Sequence, residues 1–441
     1  MSDGKSIRQR MLHGGFWAVA ARFVGILSSL AVNALLARLL SPADMGNYFL
    51  TMSVAGLAAI IAQLGMPSAV VRFVAEAMGR GQAGRARKAV FHALLITAAG
   101  AVVTSLCYFA FLGRWISDDL FRAAGMSRVI GMTSLIMGGL ALQGVLCEVF
   151  RGFHDIRLAS LLGTTSTTLS AACIFAILWL FQGHTNLEQT LHLSLLAMGV
   201  TFVISFVFLG RRMNGLTGDG DIGMREMAMV GTPLCITAIT VFAATQGDLW
   251  VVGAMLPEKD TAVYGAVLRL LAMVIVTHGI VVSVVQSTIA ELYGQDRLRE
   301  TQSVVQGGAF WACAVSGVVL LLYILFGRAI LGIVFGSDYV IGYVPLLMLS
   351  AGQFAGMLFG PAGMLMIMTG HQAPHMWIVV SITLLSLVLA VFLVMPFGLL
   401  GVAAAWGGGA ILGGAVSWWY VRQKTGIRCH AYPSREMFGQ G

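Results

Sequence analysis

Long apolar stretches recur from one end of this chain to the other, and most of them carry few or no charged residues. A helix needs about 20 apolar residues to cross the roughly 30 Å hydrocarbon core of a bilayer. Hydrophobic residues make up 58% of the 441 positions and charged residues only 10%, whereas about a quarter of the residues in soluble domains are charged. The sequence therefore predicts an all-α membrane protein that crosses the bilayer many times.

The apolar stretches divide into about twelve predicted spans. They cover residues 16–37, 46–79, 89–112, 129–149, 157–181, 190–210, 226–252, 262–292, 304–326, 341–368, 375–395 and 399–421. The second and the eighth are longer than a crossing requires, so we expect them to tilt, to kink or to extend beyond the membrane. In the second span, the sequence Gly65-Met66-Pro67 predicts a kink.

Positive charges are distributed unevenly between the predicted connectors. If the N-terminus is cytoplasmic, nineteen of the 27 Lys and Arg residues fall on the cytoplasmic side and six on the opposite side. Lys and Arg accumulate in the cytoplasmic loops of membrane proteins, so both termini are predicted to be cytoplasmic. This topology also accounts for the net charge of +8, and we expect no nucleic-acid partner.

The second half of the chain repeats features of the first half at an offset of 215 to 218 residues. The matching pairs are Gly15 and Gly231, Pro42 and Pro257, Tyr48 and Tyr264, Gly152 and Gly370, and the segments VAEAMG (74–79) and IAELYG (289–294). Six spans separate equivalent points, which predicts two parallel six-helix bundles related by a pseudo-two-fold axis along the membrane normal. The predicted bundles are 1–210 and 226–421, joined by a cytoplasmic linker at 211–225 and followed by a cytoplasmic tail at 422–441.

Motifs that would indicate enzymatic or metal chemistry are weak. The segment GRGQAG (79–84) has the spacing GxGxxG, but it follows a predicted span rather than a strand and indicates a cytoplasmic turn. The segment HQAPH (371–375) spaces two histidines like a helical metal pair, but we expect Pro374 to break the helix and predict a loop. No Ser-His-Asp, Cys-His or paired-carboxylate pattern indicates catalysis. We expect a protein that is not an enzyme and needs no metal or other cofactor.

Charged side chains inside predicted spans are stronger candidates, because a charge at bilayer depth costs several kcal/mol. Arg22 lies in the first span and Arg269 in the eighth. Each is interpreted as a cation that binds an anion on the wall of a central cavity. For Arg22, the alternative is a side chain that extends to the lipid headgroups.

A carboxylate stands in the otherwise apolar stretch VFAATQGDLWVVGAML (241–256). Asp248 lies nine residues before Pro257, and Asn33 lies nine before Pro42, so the repeat places the two polar side chains at equivalent depths. One interpretation is a hydrogen-bonded structural group. The other is a site that binds H⁺ or Na⁺ and couples transport to an ion gradient.

Further charged residues lie near the cytoplasmic ends of the spans. Glu148 and Arg151 are three residues apart on one helical face and are expected to pair. Glu76 and Glu291, the repeated glutamates, are interpreted either as a cytoplasmic gate that ties the two long helices to nearby arginines or as simple interfacial capping groups.

One segment resembles a known family. LLARLLSPADMGNYFLTMSVAGLAAIIAQLGMPSAVVRFVAEA (35–77) is similar to the first-repeat signature of polysaccharide-export flippases, which belong to the multidrug/oligosaccharidyl-lipid/polysaccharide exporter superfamily. The shared pattern is Ala-Arg-x-Leu-x-Pro, then Gly-x-Tyr at the start of a long helix, then a Leu-Gly break before VVR. VFRGFHDIR (149–157) and IMTGHQ (367–372) resemble the short turns that follow the fourth and tenth spans of the family.

The resemblance implies a protein of the bacterial inner membrane that moves a polyprenyl-diphosphate-linked oligosaccharide from the cytoplasmic to the outer leaflet for polysaccharide biosynthesis. Its partners would be this substrate, membrane lipids, and a polysaccharide polymerase or export machinery. Guanidinium groups bind phosphate oxygens in a bidentate manner, so Arg22 and Arg269 are expected to contact the diphosphate, with Arg72 and Arg151 near the cytoplasmic entrance. Alternating access would come from one bundle rocking against the other, driven by an ion gradient.

Other functions stay open at this point. A drug or cation exporter of the same superfamily would concentrate carboxylates in its cavity, whereas the predicted interior has two arginines and one clear aspartate. A membrane polymerase or ligase of lipid-linked sugars would need a sizeable outer loop, and the longest outer connectors, 113–128 and 327–340, are short. A scaffold that transports nothing is a further alternative.

Overall fold

The structure is a computed structural model that describes residues 24–216, 218, 220, 222–295 and 297–432. Every regular element within these ranges is helical. The α-helices are α1 (Val24–Leu39), α2 (Pro42–Gln63), α3 (Met66–Gly79), α4 (Ala83–Cys107), α5 (Ala124–Ser127), α6 (Ile130–Gly152), α7 (Ile156–Ser160), α8 (Ser166–Phe181), α9 (Leu187–Met213), α10 (Met224–Met255), α11 (Glu258–Gly294), α12 (Leu298–Val334), α13 (Tyr343–Leu358), α14 (Ala362–Met368), α15 (Gln372–Phe397) and α16 (Leu399–Thr425). Short π-helical segments cover Tyr108–Leu112, Trp115–Leu120 and Leu161–Thr165, and a 3₁₀ helix covers Ser337–Gly342.

The helices follow the predicted spans. Ten helical stretches among the described residues are long and apolar enough to cross a membrane. The described part of the first span, α1, and the 37-residue α11 occupy the positions of the two other predicted spans. Many large apolar side chains point outward on these helices, for example Phe109, Phe181 and Phe392, as expected for surfaces that face lipid. The protein is an all-α, multi-pass membrane protein, as predicted.

The predicted kink in the second span is confirmed. Helix α2 ends at Gln63, and Leu64 and Gly65 have left-handed backbone conformations, with φ of 47° and 74°. Helix α3 then begins at Met66 with Pro67 in its first turn, where the missing N–H breaks no helical hydrogen bond. A Cβ at Gly65 would lie 2.0 Å from the carbonyl oxygen of Gly231, so the kink brings this backbone against α10.

Two spans contain breaks that we did not predict. The tenth is divided between α13 and α14 at Gly360-Pro361. The fifth is divided into α7, a π-helical segment and α8, and Gly163 within that segment has a non-helical ψ of −145°.

The loop predicted around Pro374 is wrong. Helix α15 begins at Gln372, so Pro374 lies in its first turn and His375 is already helical. Proline is tolerated there because the first N–H groups of a helix have no partner within the helix.

The chain folds into two compact units, the first ending at Phe242 and the second beginning at Ala243. The division falls inside α10, and the domain bounds given above stay a prediction. The core of the first unit combines α3, α4 and α6 with the start of α10, and includes Met66, Phe73, Val90, Val145, Phe150 and Met227. A core of the second unit includes Ile289, Val305, Leu365, Met366, Val421 and Ile427.

Small residues allow two helices of the second unit to approach closely. A Cβ at Gly352 of α13 would lie 2.5 Å from the α-carbon of Gly407 on α16, and one at Gly356 would lie 2.6 Å from the carbonyl oxygen of Ala410. In lipid, helices associate through van der Waals packing rather than through the hydrophobic effect, so such small-residue contacts stabilise the bundle.

The beginning of the predicted cytoplasmic tail packs on the second unit. The Ala431 N–H donates to the carbonyl oxygen of Leu358 at 3.0 Å, and the Cys429 thiol contacts the carbonyl oxygen of Phe359 at 3.4 Å. These carbonyls belong to the break between α13 and α14, so residues 427–431 supply hydrogen bonds that the interrupted helix lacks. Burial raises the pKa of the Cys429 thiol to about 12, because the thiolate is poorly solvated there.

We predict that Gly360→Ala releases this segment. Gly360 has a φ of 80°, and a Cβ there would lie 1.6 Å from the carbonyl oxygen of Cys429. The pKa of the freed thiol would fall towards about 8.5, the thiolate fraction would rise, and Cys429 would react faster with N-ethylmaleimide near neutral pH. Peptide mass spectrometry locates the modified thiol.

The matched control is Gly370→Ala. Gly370 has a φ of 82°, and no neighbouring atom lies within 4 Å of the added Cβ. The variant therefore pays only for holding alanine in a left-handed backbone conformation, at about 1–2 kcal/mol. Equal labelling of Cys429 in the two variants would contradict the packing of this segment.

Candidate functional site

The carboxylate of Asp248 is enclosed in the second unit. Asp248 is 2% exposed. Its Oδ2 accepts a hydrogen bond from the Tyr264 hydroxyl at 3.1 Å, and its Oδ1 accepts one from the Leu249 N–H at 2.8 Å. Tyr264 is also fully buried. A buried carboxylate is stabilised only when such donors replace the water that it loses.

The connection between α10 and α11 positions this pair. Helix α10 ends at Met255, Pro257 follows, and α11 begins at Glu258 with the N–H of Asp260 bonded to the Pro257 carbonyl. This short connection turns the chain back, so that Tyr264 of α11 meets Asp248 of α10.

A third helix, α16, contacts α10 one turn before Asp248. The Trp406 indole N–H of α16 donates to the carbonyl oxygen of Ala244 at 3.1 Å. A Cβ at Gly247 would lie 3.2 Å from the same ring. Ala244 and Trp406 also line a cavity of about 290 Å³, whose polar lining includes Gln353, His375 and Ser417. Asp248 therefore lies one turn along α10 from a cavity of the second unit.

The equivalent residue of the first repeat has different bonding. Asn33 is 6% exposed, and its Nδ2 donates to the Ser29 carbonyl of the same helix at 2.6 Å. Both repeats thus bury a polar side chain at this position. The bond described for Asn33 lies within one helix, whereas Asp248 accepts a hydrogen bond from Tyr264 of another helix. We did not predict Tyr264 as a site residue, although its match with Tyr48 in the repeat marked the position.

The four predicted substrate arginines lie in different surroundings. Arg22 lies outside the described residues. Arg269 is half-buried on α11 among buried neighbours such as Leu270. Arg72 is exposed on α3, with its guanidinium carbon 6.0 Å from the centroid of the Phe73 ring.

Arg151 forms the ion pair that we expected. Its Nη1 lies 2.6 and 2.8 Å from the two carboxylate oxygens of Glu148. Both residues line a cavity of about 580 Å³ in the first unit. Binding of an anion by any of the four arginines stays a prediction.

The repeated glutamates lie on α3 and α11. Glu76 pairs at 3.0 Å with Arg80, the residue that follows the end of α3. The side chain of Glu291 lies outside the described part of the structure. Arg297 bonds Glu300 and Gln295 near the start of α12. A gating role of Glu76 and Glu291 stays a prediction. Within the described residues, no group of His, Cys, Asp and Glu side chains is arranged to hold a metal ion.

Solved structures of transporters share this fold. The chain superposes on an inward-facing multidrug resistance MATE family transporter of the MOP superfamily with a TM-score of 0.73, at 16% identity, covering 93% of this chain and 98% of the other. The MATE multidrug transporter DinF-BH gives 0.70 at 16% identity, covering 97% and 98%. A MOP superfamily transporter from Pyrococcus furiosus, whose binding pocket is described as having reverse polarity, gives 0.56 at 14% identity, covering 95% of each chain. These similarities show the two-bundle fold.

The family itself comes from the sequence comparison. The family model for polysaccharide biosynthesis protein matches residues 11–292, more than half of the chain. The chain therefore belongs to this polysaccharide biosynthesis family, which confirms the resemblance found in the sequence. No curated protein matches the chain. The chain thus combines membership of the polysaccharide biosynthesis family with a fold that solved MATE transporters share.

We predict that Tyr264→Phe destabilises the protein through Asp248. Removing the hydroxyl leaves a buried carboxylate oxygen short of a donor, at a cost of about 1–3 kcal/mol. Tyr323→Phe is the matched control, because its buried hydroxyl donates to the Leu270 carbonyl at 2.8 Å instead.

A double-mutant cycle separates the two tyrosines. Asp248→Asn is combined with each variant, and the thermal midpoint is measured in detergent. We expect a coupling energy of about 0.5–3 kcal/mol with Tyr264 and close to none with Tyr323. An equal coupling energy with Tyr264 and with Tyr323 would show that the coupling does not come from the hydrogen bond between Asp248 and Tyr264.

Proposed function

We propose that this protein is a flippase that moves a polyprenyl-diphosphate-linked oligosaccharide from the cytoplasmic to the outer leaflet of a bacterial inner membrane, with both termini in the cytoplasm. The observation that carries the proposal is the match to the polysaccharide biosynthesis family on a chain with a transporter fold. Polysaccharide assembled outside the cell from lipid-linked units requires such a step, and its product passes to a polymerase or export machinery.

The chemistry of the proposed substrate requires a protein to carry it across the bilayer, which supports this assignment. A diphosphate with attached sugars cannot cross hydrocarbon without a polar path, because each unpaired polar group costs several kcal/mol and an isolated charge far more. Arg269 places a half-buried cation within a helix of the second unit. A guanidinium group there is suited to a phosphate group, because it offers paired donors in a fixed plane.

Ion coupling is assigned to Asp248. In this proposal, the carboxylate binds H⁺ or Na⁺ and exchanges its bond with Tyr264 for the ion during the transport cycle. One elementary charge moving through the membrane potential supplies about 2.3 kcal/mol per 100 mV. This energy exceeds that of a typical neutral hydrogen bond, so the ion gradient can shift the balance between two conformations.

We predict that Arg269→Gln lowers affinity for the lipid diphosphate by about 10- to 100-fold, the loss expected when charge-assisted hydrogen bonds are removed. Lys259→Gln is the control, because Lys259 is an exposed cation on the same helix. Binding is measured in detergent with polyprenyl diphosphate and, separately, with a cationic dye.

The two ligands distinguish the main alternatives. Tight binding of the dye together with no binding of the lipid would refute the flippase assignment in favour of a drug exporter. Unchanged lipid affinity in Arg269→Gln would refute the role of this arginine.

We predict that Asp248→Asn preserves folding but removes the dependence of transport on pH or on Na⁺. The amide matches the residue of the first repeat and keeps the side-chain shape, but it does not take up a proton near neutral pH and has no negative charge to attract Na⁺. Transport into the outer leaflet of proteoliposomes is followed at several pH values and Na⁺ concentrations. The exposed Asp338→Asn variant of the same unit serves as the control. Identical ion dependence in wild type and Asp248→Asn would reduce this carboxylate to a structural role.

A further inference from the structure

The cavity of the first unit is large enough for a ligand. Its volume of about 580 Å³ lies within the roughly 300–1,000 Å³ of small-molecule sites. It lies among α2, α6 and the interrupted pair α7 and α8. Its lining includes apolar residues such as Met52 and Leu140, and the polar residues Gln143, Cys147, Glu148, Arg151, Ser160, Thr165, Thr167 and Thr168.

A broken membrane helix forms one wall of this cavity. The π-helical segment Leu161–Thr165 interrupts the span, and Gly163 departs from helical geometry. The carbonyl oxygen of Leu162 is bonded from a neighbouring helix, by the Gln143 Nε2 at 2.6 Å and the Cys147 thiol at 3.0 Å. Non-helical backbone at membrane depth is tolerated where it is enclosed by protein or lines a polar cavity, and transporters build substrate sites from such discontinuous helices.

The charges that face the cavity cancel. Glu148 and Arg151 are paired with each other, so the pair offers an incoming ion neither a free cation nor a free carboxylate. The other polar groups on the wall are neutral hydroxyls, a thiol and an amide. A neutral ligand leaves this ion pair undisturbed, whereas a charged ligand would compete with one of its members.

Among the described residues that line this cavity, one has a buried side-chain atom without a hydrogen-bond partner. Gln143 is 7% exposed and lines the cavity, and its Nε2 also contacts the Ser205 hydroxyl at 3.0 Å. Within the described residues, its Oε1 accepts no hydrogen bond. Buried polar groups in native proteins are usually satisfied, so this acceptor is a group of the cavity-lining residues whose hydrogen bond a ligand can complete. A hydroxyl group of a ligand supplies such a donor.

We infer that this cavity binds neutral sugar residues of the substrate, with ring hydroxyls bonded to Gln143 and to the hydroxyls of Ser160, Thr167 and Thr168. The inference rests on the proposed flippase function and adds to it a separate site for the glycan. A sugar presents donors and acceptors together with apolar C–H faces, and the wall offers hydroxyls and an amide beside Met52 and Leu140. The volume accommodates a short oligosaccharide unit, while the diphosphate is bound elsewhere by arginine.

The test compares two ligands on wild type and a triple variant, Ser160→Ala, Thr167→Val and Thr168→Val. These substitutions remove hydroxyls with little change in volume. The ligands are polyprenyl diphosphate without sugar and the same lipid carrying the oligosaccharide, isolated from the producing cells. The measured quantity is the ratio of the two affinities in detergent. The control variant, Thr104→Val with Ser170→Ala, removes hydroxyls from half-buried positions outside the cavity lining.

We expect wild type and control to bind the glycosylated lipid more tightly than the bare lipid. The triple variant should lose about tenfold or more of this preference, as expected for several lost hydrogen bonds, with unchanged affinity for the bare lipid. A retained preference, or an equal loss for both lipids, would overturn the sugar site and leave the flippase proposal standing. Failure of wild type to bind either lipid would instead overturn the proposed function, and the sugar site with it.

Discussion

Every backbone N–H and C=O group at the depth of the hydrocarbon must find its partner inside the protein, and the architecture depends on this constraint. Unbroken helices satisfy it within themselves. Where a span is interrupted, the partners come from elsewhere in the same unit. Gln143 and Cys147 bond the Leu162 carbonyl in the first unit, and the segment after α16 bonds the carbonyls of Leu358 and Phe359 in the second. The breaks are therefore enclosed positions where neighbouring side chains and the segment 427–431 are held in defined places.

The same constraint decides how much of the fold is predictable. Spans can be predicted from the sequence because bilayer thickness sets their length and composition. The kink at Gly65-Met66-Pro67 could be predicted because glycine adopts a positive φ and proline lacks a backbone donor. The break at Gly163 begins the run Gly-Thr-Thr-Ser-Thr-Thr (163–168), whose small, uncharged residues are compatible with a membrane helix, so we predicted an unbroken span there. Pro374 produced a wrong prediction because its effect depends on where the helix begins, and helix ends are set by tertiary packing.

Site residues were predictable in proportion to how unusual they are in an apolar span. A carboxylate such as Asp248 is conspicuous, and so is an Arg–Glu pair with helical spacing. Tyr264 was not singled out, because a tyrosine in a membrane helix is ordinary and its partner lies on another helix. The hydroxyls and the amide that line the cavity of the first unit are even harder to predict from the sequence. Ser and Thr in membrane helices commonly bond a carbonyl of the preceding turn, as Thr104 bonds Gly100, so spacing alone does not distinguish a cavity wall from a satisfied helix.

Coupling of an ion to a substrate requires that both bias the same conformational equilibrium, since a ligand with equal affinity for two states shifts nothing. Helix α10 is a physical candidate for the shared element, because its residues belong to both compact units and Asp248 lies six residues beyond their division at Phe242. In the proposed mechanism, ion uptake at Asp248 weakens its bond to Tyr264 and changes the restraint between α10 and α11. The start of α10 packs in the core of the unit that contains the sugar cavity, through Met227. In this mechanism a change in α10 would act on residues assigned to both units, and by reciprocity binding at one site would alter affinity at the other.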